Sequence, residues 1–254
     1  MDNKRYLKIF NSQSDYDSQK DEVMNTPHVV LLDDTKEVLF VSKDNEESSS
    51  SSYQMVDLGL PSGIKWANMN IGAEQESDFG LFFQWGDTEG YALEDCGTGE
   101  GQKAFTWSDY KWCNGTSNSL TKYNNNSSNG TVDNKTVLDA EDDAAHVHMG
   151  GEWRLPTGTN CEELIAHTTY EYTEVNGVQG AKFISTANTD NYVFLPGAAF
   201  LDGGFQLGTD ALSWSSSLDE SFPDGARCLG GAEYDSRVYD YYRCCGLPLR
   251  GVVG

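Results

Sequence analysis

Histidines and carboxylates cluster at one place in the chain. His146 and His148 stand two positions apart and follow the acidic run Glu141, Asp142 and Asp143. On a strand, residues two apart share one face, so the two imidazoles would form a candidate pair of metal ligands. The sequence EDDAAHVHM over residues 141–149 predicts a short helix instead, in which the two rings diverge. We therefore expect no metal site here, and acidic side chains at a solvated helix N-terminus.

Cysteine is the second residue type that could carry chemistry. The six cysteines are Cys96, Cys113, Cys161, Cys228, Cys244 and Cys245. They contain no CxxC pair and no four-ligand zinc spacing, so all six are predicted to be free thiols. Cys244 and Cys245 are adjacent, and on a strand they would point to opposite faces and not pair. With no Gly-rich phosphate loop, Ser–His–Asp order or paired catalytic carboxylates, the sequence predicts neither an enzyme nor a cofactor.

The last part of the chain has an unusual composition. Residues 221–254 contain no Lys, Gln, Met, Trp or Asn and one Glu, and they are rich in Tyr, Cys, Gly, Arg, Asp, Ser and Val. Each of these seven residue types is reached from the Asn codon AAC by changing adenines alone, whereas Lys, Gln, Met, Trp and Glu are not. The composition indicates a surface rewritten by adenine-directed mutagenesis. A Tyr-rich strand region without such a history is the alternative.

Composition limits the classes of partner. The net charge of −23 leaves little to neutralise phosphates, so neither nucleic acid nor an anionic membrane surface is an expected partner. No segment is apolar over the length that spans a bilayer. The first residues lack the apolar segment of a signal peptide, which favours a protein that stays where it is made or leaves by cell lysis.

Two domains and a linker are predicted. Residues 1–45 form a small α/β domain, with a strand at KIF (8–10), a helix over residues 15–24 capped by Ser14, and the strands HVVLL (28–32) and EVLFV (37–41) around the turn DDTK. Residues 46–52 complete a Ser-rich linker. Residues 53–254 form a larger α+β domain in which strands dominate. It includes a long polar loop (114–134), a helix over CEELIAH with Thr159 and Glu162 as its capping box, and the strands YVFLP and LSWSSS.

An ordered set of phrases in the larger domain matches a known pattern: VDLGLPSGIKWANMNIGA, FFQWGDTEGY, DDAAHVHMGGEWRLPT, FLPGAA, WSSS and GLPLRGV. Together they resemble the C-type-lectin-like domains of gut Bacteroidetes and their phages, whose fold is related to formylglycine-generating enzymes. With the rewritten tail, the chain resembles the variable protein of a diversity-generating retroelement. In that family a reverse transcriptase copies a template, with errors at adenines, into the 3′ end of the gene.

The resemblance divides the tail into framework and variable positions. It places framework residues at 214–218, Pro223, Ala226, Leu229, Arg243, Gly246, Leu247 and Arg250. The candidate variable, ligand-binding positions, within about 219–245, are Asp219, Phe222, Asp224, Gly225, Arg227, Cys228, Gly230, Gly231, Tyr234, Asp235, Arg237, Tyr239, Asp240, Tyr241, Tyr242, Cys244 and Cys245. These positions are expected to face solvent. Tyr234, Arg237, Tyr239, Tyr241 and Tyr242 should cluster with Phe222 and Arg227, while Trp214, Leu229, Leu247 and Val252 should be buried.

The function implied by the resemblance is binding. The C-terminal face would recognise a bacterial surface protein or glycan, and residues 1–45 would attach to phage structural proteins or to copies of the same chain, which places the protein in a phage tail. A host-encoded adhesin at the bacterial cell surface is the first alternative. A formylglycine-generating-type oxidase is the second, although its spaced pair of copper-binding cysteines has no counterpart here. The calcium-binding tripeptides EPN, QPD and WND of sugar-binding lectins are also missing.

Overall fold

The protein is described by a computed structural model. It covers the strands Tyr6–Phe10, His28–Leu32 and Val38–Val41, and then residues 53–201, 204–207 and 210–254. Contacts within the chain divide it into two units, Met1–Ser52 and Tyr53–Gly254. The structure mixes helix and sheet, and strand predominates over helix. The predicted mixture of helix and sheet is therefore confirmed at this level.

The first unit contains a three-stranded sheet. β1 (Tyr6–Phe10) runs parallel to β2 (His28–Leu32), and β2 pairs antiparallel with β3 (Val38–Val41). The pairing of His28 with Val41 and of Leu31 with Val38 is the register of a hairpin. All three strands predicted in this unit are confirmed. The helix predicted over residues 15–24 and the turn at 33–36 lie outside the described residues.

The second unit contains the remaining strands, most of them short. They are β4 (Met55–Val56), β5 (Lys65–Ala67), β6 (Phe82–Phe83), β7 (Thr168–Val175), β8 (Val178–Ser185), β9 (Tyr192–Pro196), β10 (Ala198–Leu201), β11 (Gly204–Leu207), β12 (Ala211–Leu218), β13 (Gly225–Gly231), β14 (Ser236–Tyr242), β15 (Leu247–Pro248) and β16 (Val252–Val253). They form the antiparallel sheets β4–β5–β16, β6–β15, β7–β8–β9, β10–β11 and β12–β13–β14.

Two α-helices are described in the second unit. Asp143 is the N-cap of α1 (Ala144–Met149), and its carboxylate accepts hydrogen bonds from the amides of Ala145 and His146. Thr157 is the N-cap of α2 (Gly158–His167). The helix over 141–149 is thus confirmed apart from a 3₁₀ turn at its start (Ala140–Asp142). The predicted capping box at Thr159 and Glu162 is wrong. The capping box starts two residues earlier than predicted, and Thr157 forms it with Asn160 through reciprocal hydrogen bonds of 3.2 and 3.1 Å.

The sheet β12–β13–β14 lies between two hydrophobic clusters. Trp214 of β12 and Cys228 of β13 pack into one, with Trp85 and Tyr123. Leu229 of β13 packs into the other, with α2 and the sheet β7–β8–β9. Because both faces are covered, β12 is buried along nearly its whole length. The expected burial of Trp214, Leu229, Leu247 and Val252 is confirmed.

Arg250 connects the beginning and the end of the second unit. Its fully buried guanidinium donates to the side-chain oxygen of Asn70 at 3.0 Å, to the Ala67 carbonyl at 2.9 Å and to the Phe194 carbonyl at 2.6 Å. β16 pairs with β5 beside it, with Val252 opposite Trp66. A buried cation whose donors are satisfied in this way is a structural element, because removing it leaves several buried acceptors unpaired.

Candidate ligand-binding site

A surface cavity opens where the end of β14 meets the connection between β12 and β13. Its volume is about 410 Å³, within the range of small-molecule binding sites. We refer to it as the C-terminal cavity. It is lined by Asp219, Phe222, Asp224, Gly225, Asp240, Tyr241, Tyr242 and Cys245. All eight belong to the positions that the sequence predicted to be variable.

The connection between β12 and β13 forms one wall through a compact turn. The Asp219 carboxylate accepts hydrogen bonds from the amides of Ser221 at 2.9 Å and Phe222 at 3.3 Å. The Gly225 amide donates to the Phe222 carbonyl at 2.7 Å. These local bonds are a common use of Asp in turns. They leave the Phe222 side chain 68% exposed at the mouth of the cavity.

The end of β14 forms the opposite wall. Tyr242 is 52% exposed, and its ring meets the ring of Trp107 edge-on with centroids 6.0 Å apart. Tyr241 is half-buried, and its ring packs against the hydrophobic cluster that contains Trp214. Burial raises the pKa of Tyr241 to about 12. Phe222, Tyr241 and Tyr242 thus give the cavity three aromatic walls.

Three carboxylates also line the cavity: Asp219, Asp224 and Asp240. Desolvation raises the pKa of Asp240, the negative charge of Asp219 raises it further, and Arg227 partly opposes both effects. In the part of the chain that the structure describes, no Lys, Arg or His nitrogen lies within 4.0 Å of these carboxylates. The cavity is therefore acidic and its charge is not compensated by close ion pairs.

The cavity walls are held by framework residues that bind main-chain atoms. The indole of Trp85 donates to the Ser215 carbonyl at 2.8 Å, and its backbone amide donates to the Arg243 carbonyl at 3.0 Å. The side-chain amide of Gln84 donates to the Cys244 carbonyl at 2.9 Å, and the Trp214 indole donates to the Phe83 carbonyl at 3.0 Å. The strand before the candidate variable stretch and the end of that stretch are thus fixed through backbone carbonyls.

Arg243 is a further fixed point beside the cavity. Its fully buried guanidinium donates to the Tyr123 carbonyl at 2.8 Å and lies 5.3 Å from the ring centroids of both Trp85 and Tyr110. Asn125, from the same polar loop as Tyr123, donates to the Glu220 carbonyl at 2.9 Å. The long loop predicted over 114–134 therefore supports the turn that carries Phe222.

Other predicted site residues form a row that leads away from the cavity along β14. The guanidinium of Arg237 lies 4.5 Å from the ring centroid of Tyr239, whose centroid is 6.2 Å from that of Tyr241. Arg237 is exposed, but Tyr239 and Tyr241 are half-buried against the core. The prediction that these two tyrosines are substantially exposed is wrong. The cross-strand neighbours Ala226 and Cys228 are small, which lets the rings lie down on β13.

The predicted single cluster of exposed side chains does not form. Tyr234 is 88% exposed but lies with Asp235 in the turn between β13 and β14, at the far end from the cavity. A seven-residue strand separates the two ends by about 20 Å. Arg227 pairs in register with Asp240, and its guanidinium turns to Glu162 on α2 at 2.6 Å. Strand alternation places it on the face opposite Tyr239 and Tyr241.

Several candidate variable positions are buried. The structure buries Gly225, Cys228, Gly230, Gly231, Cys244 and Cys245, so the expectation that they face solvent is wrong. A Cβ at Gly231 would lie 2.6 Å from the Cβ of Ala181, and one at Gly230 would collide with the ring of Tyr239. Small side chains are needed at these places because other residues pack directly onto the strand.

The six cysteines form no disulfide bond within the described residues, as predicted. Cys244 and Cys245 lie in the turn after β14 and not on a strand, so strand alternation does not separate their side chains. A hydrogen bond between the two side chains, together with burial, raises the pKa of Cys244. Burial raises the pKa of Cys228. These thiols are held protonated at neutral pH, which does not favour nucleophilic chemistry.

Among the described residues, one group of side chains has the spacing of a metal site: Asp139, Glu141 and Asp142. The ammonium of Lys122 lies 2.8 Å from Asp139, 2.6 Å from Asp142 and 3.7 Å from Glu141. Burial alone would lower the pKa of Lys122, but its hydrogen bonds to Asp139 and Asp142 outweigh burial and raise it. Lys135 lies 2.5 Å from Asp139 and Lys111 lies 3.6 Å from Asp142, so three lysine charges balance the three carboxylates.

The two histidines of the same region lie on α1, as predicted, and are exposed. The Nε2 atom of His148 lies 2.8 Å from the Thr88 carbonyl oxygen. Its ring meets the ring of Phe83 edge-on at 5.4 Å. His148 therefore makes ordinary packing contacts with the framework phrase that contains Phe83.

The sequence missed several residues that shape the site. Trp107, Asn125 and Glu162 contact the tail from more than fifty positions away in the chain. Contacts at such separation leave no trace in local periodicity or turn chemistry. The sequence FTWSDY shows Trp107 as one of several aromatic residues, but it does not indicate which residue Trp107 contacts.

Comparison with models of known protein families, with curated proteins and with solved structures finds no match to this chain. Over the described residues, every helix is too short or too polar to span a bilayer. The function must therefore be inferred from the geometry and chemistry of the C-terminal cavity.

Proposed function

We propose that the protein is a ligand-binding display protein. Its second unit is a C-type-lectin-like domain, and the C-terminal cavity is its recognition site. The residues of this site are diversified by adenine-directed mutagenesis through a retroelement, so that related chains recognise different bacterial surface proteins or glycans. The N-terminal unit attaches the domain to phage tail structure, or to the bacterial surface if the gene belongs to the host.

The single observation that supports this proposal most is the composition of the cavity wall. Every one of its eight lining residues is of a type reached from AAC through its adenines, and was selected from the sequence alone. Codon reachability has no physical connection with cavity formation. Selection for binding at this place would bring codon reachability and a position in the cavity wall together in the same residues.

The bonding around the cavity fits a surface that tolerates variation. The bonds from Gln84 and Trp85 reach main-chain carbonyls at Arg243, Cys244 and Ser215, so they persist whatever side chains stand at neighbouring positions. Exposed positions such as Phe222 and Tyr242 contribute little to the buried core. Stability and recognition can then be altered separately, as in antibody loops.

Aromatic residues at the cavity rim suit recognition. Tyr and Trp supply large contact area at low entropic cost and dominate the energetics of many interfaces. Phe222 and Tyr242 lie on opposite sides of the opening, where a ligand would remove both from water. An exposed aromatic pair beside a cavity is a common sign of an interaction site.

The direct test is attachment of the labelled full chain to a panel of gut bacteria. Phe222→Ser and Tyr242→Ser should abolish attachment to any strain that the parent chain binds. Tyr234→Ser is the matched control, because it removes a still more exposed aromatic from the turn at the far end of β14 and should leave attachment unchanged. Attachment that depends on Tyr234 but not on Tyr242 would contradict the proposed site.

A further inference from the structure

We infer that the C-terminal cavity binds an organic cation, an ammonium or guanidinium group presented by the ligand. This inference rests on the proposed function, because it names the ligand chemistry of the same site. Three carboxylates and three aromatic side chains line one cavity of about 410 Å³. A cation placed there meets negative charge and ring faces together, which is how proteins bind alkylammonium groups.

The carboxylates are available to a ligand. Asp219 uses its Oδ1 atom for the turn amides, while no hydrogen bond or ion pair within the described residues involves the side chains of Asp224 and Asp240. Arg227, the cross-strand partner of Asp240, directs its guanidinium to Glu162 on α2. A ligand cation would therefore be the first partner of these charges and would not need to displace one.

The spacing of the carboxylates favours an organic cation over a metal ion. Among the described residues, three ligand oxygens converge within 4.8 Å only at Asp139, Glu141 and Asp142, and not at Asp219, Asp224 and Asp240. A bare metal ion needs oxygens that converge at coordination distance. Carboxylates spread around an aromatic-walled cavity instead match an extended group with several N–H donors.

The aromatic walls supply the second part of the recognition. Tyr241 and Tyr242 on one side and Phe222 on the other enclose the opening. Apolar rings exclude water from around the cation and thereby strengthen its attraction to the carboxylates. The net charge of −23 adds a long-range field that attracts cations and repels anionic groups such as phosphorylated glycans.

The occupant is of side-chain or monosaccharide size. A volume of about 410 Å³ lies near the lower end of ligand cavities, which suits one lysine or arginine side chain of a surface protein, or one amino sugar of a glycan. The shared chemistry is the ammonium or guanidinium group, and the two sources are separated by the experiment.

Calorimetric titration of the full chain tests the inference with matched probe pairs. Nα-acetyl-lysine methylamide should bind about tenfold more tightly than its neutral analogue Nα-acetyl-norleucine methylamide, because only the former offers a cation. Glucosamine against N-acetylglucosamine forms the second pair. Preference for the lysine probe assigns a protein side chain, and preference for glucosamine assigns an amino sugar.

Charge-neutral variants locate the effect. Asp240→Asn and Asp224→Asn should each weaken binding of the preferred cationic probe several-fold. Asp190→Asn, at an exposed carboxylate outside both the cavity and the candidate variable positions, should leave it unchanged. Thermal melts of all three variants check that the fold is retained. Equal binding of the charged and neutral probes, or no binding of either cationic probe at millimolar concentration, overturns the inference.

The outcome also separates this inference from the proposed function. If no cationic probe binds while Phe222→Ser and Tyr242→Ser still abolish attachment to bacteria, the cavity recognises another chemistry and the proposed function stands. If those two variants also leave attachment unchanged, the proposed function fails as well.

Discussion

β12 and β14 are the outer strands of the same sheet, yet they differ in almost every physical respect. β12 is buried along nearly its whole length, and its Trp214 lies fully inside the core. β14 alternates between exposed and half-buried residues, and its end lines the C-terminal cavity. β13 lies between them and is rich in small residues. Within three adjacent strands the sheet thus changes from a buried strand to the strand that carries the proposed recognition site.

The difference teaches that the division between fixed and variable residues does not follow sequence position alone. Cys228, Gly230 and Gly231 have the variable composition but the burial of framework. Phe222 and Tyr242 have both the variable composition and the exposure. Under the proposed function, recognition is concentrated at the cavity, while the buried middle of β13 packs the sheet.

The largest effect is expected at Trp214. Trp214→Ala should lower the free energy of unfolding by about 3–5 kcal/mol, the range for truncating a large buried aromatic residue. The change also leaves the Phe83 carbonyl without the indole donor. Denaturant unfolding measures it. A loss below that of an ordinary surface change would mean that β12 is not the fixed side of the sheet.

A smaller effect is expected in β13. Gly230→Val should destabilise the protein by about 1–3 kcal/mol, because added carbon atoms in a packed core displace their neighbours. Here the neighbours are Tyr239 and Leu212. Gly225→Val is the matched control on the same strand and should cost less, because a Cβ there would lie 3.3 Å from its nearest neighbour, the Phe222 carbonyl, whereas a Cβ at Gly230 would collide with the Tyr239 ring. Equal tolerance of both changes would place the middle of β13 among the freely variable positions.

Tyr241 is expected to contribute both to stability and to the wall of the cavity. A half-buried ring that packs on the cluster around Trp214 contributes to stability as well as to the cavity. Tyr241→Ser should therefore cost about 1–2 kcal/mol, more than the roughly 0.5 kcal/mol limit of ordinary surface changes. Denaturant unfolding of Tyr241→Ser and Tyr242→Ser side by side measures the difference in the free energy of unfolding. Identical unfolding curves would show that the Tyr241 ring is not part of the core.

The pH dependence of stability should differ between two carboxylates, Asp139 and Asp240. Hydrogen bonds from Lys122 and Lys135 lower the pKa of Asp139, which lies outside the cavity, from 3.8 to about 2. Its stabilisation is complete above its unfolded pKa and is lost as pH falls from 3.8 towards 2. Desolvation raises the pKa of Asp240, so its contribution has the opposite sign and favours the folded state below the unfolded pKa.

The substitutions should follow those signs. Asp139→Asn should lower the melting temperature at neutral pH and flatten the loss of stability between pH 4 and 2. Asp240→Asn should raise the melting temperature slightly at neutral pH, because it removes a charge that the folded state disfavours. Melting curves over pH 2–7 check both. Effects of the same sign would contradict the opposite electrostatic environments of Asp139 and Asp240.

Much of the fold followed from local patterns. The β-branched run HVVLL and its neighbour EVLFV predicted a hairpin that is present, and the apolar run YVFLP predicted β9. The start of α2 was misplaced because TGTNCE offers two overlapping Thr positions for a cap. Thr157 is the one used, with Asn160 as its partner, while Thr159 lies inside the helix and Glu162 pairs with Arg227.

The site was predictable in composition but not in geometry. Codon reachability selected all the cavity residues, and it also selected Cys228 and Gly230, because small residues suit a packed strand as well as a varied surface. Nothing in the sequence indicated that Arg227 would turn to Glu162 on the other face of the sheet. Such choices depend on tertiary contacts that a single sequence does not encode locally.

The central claim is that the C-terminal cavity is a diversified recognition site, and sequencing tests it most directly. The flanking DNA should contain a reverse-transcriptase gene and a near-copy of the gene's 3′ end. That copy should carry AAC or AAT at most cavity codons, including those of Asp240, Tyr241 and Tyr242, and should match the gene at Trp214 and Arg243. Template codons without adenines at Tyr239, Asp240, Tyr241 and Tyr242, or variation spread equally over framework codons, would contradict it.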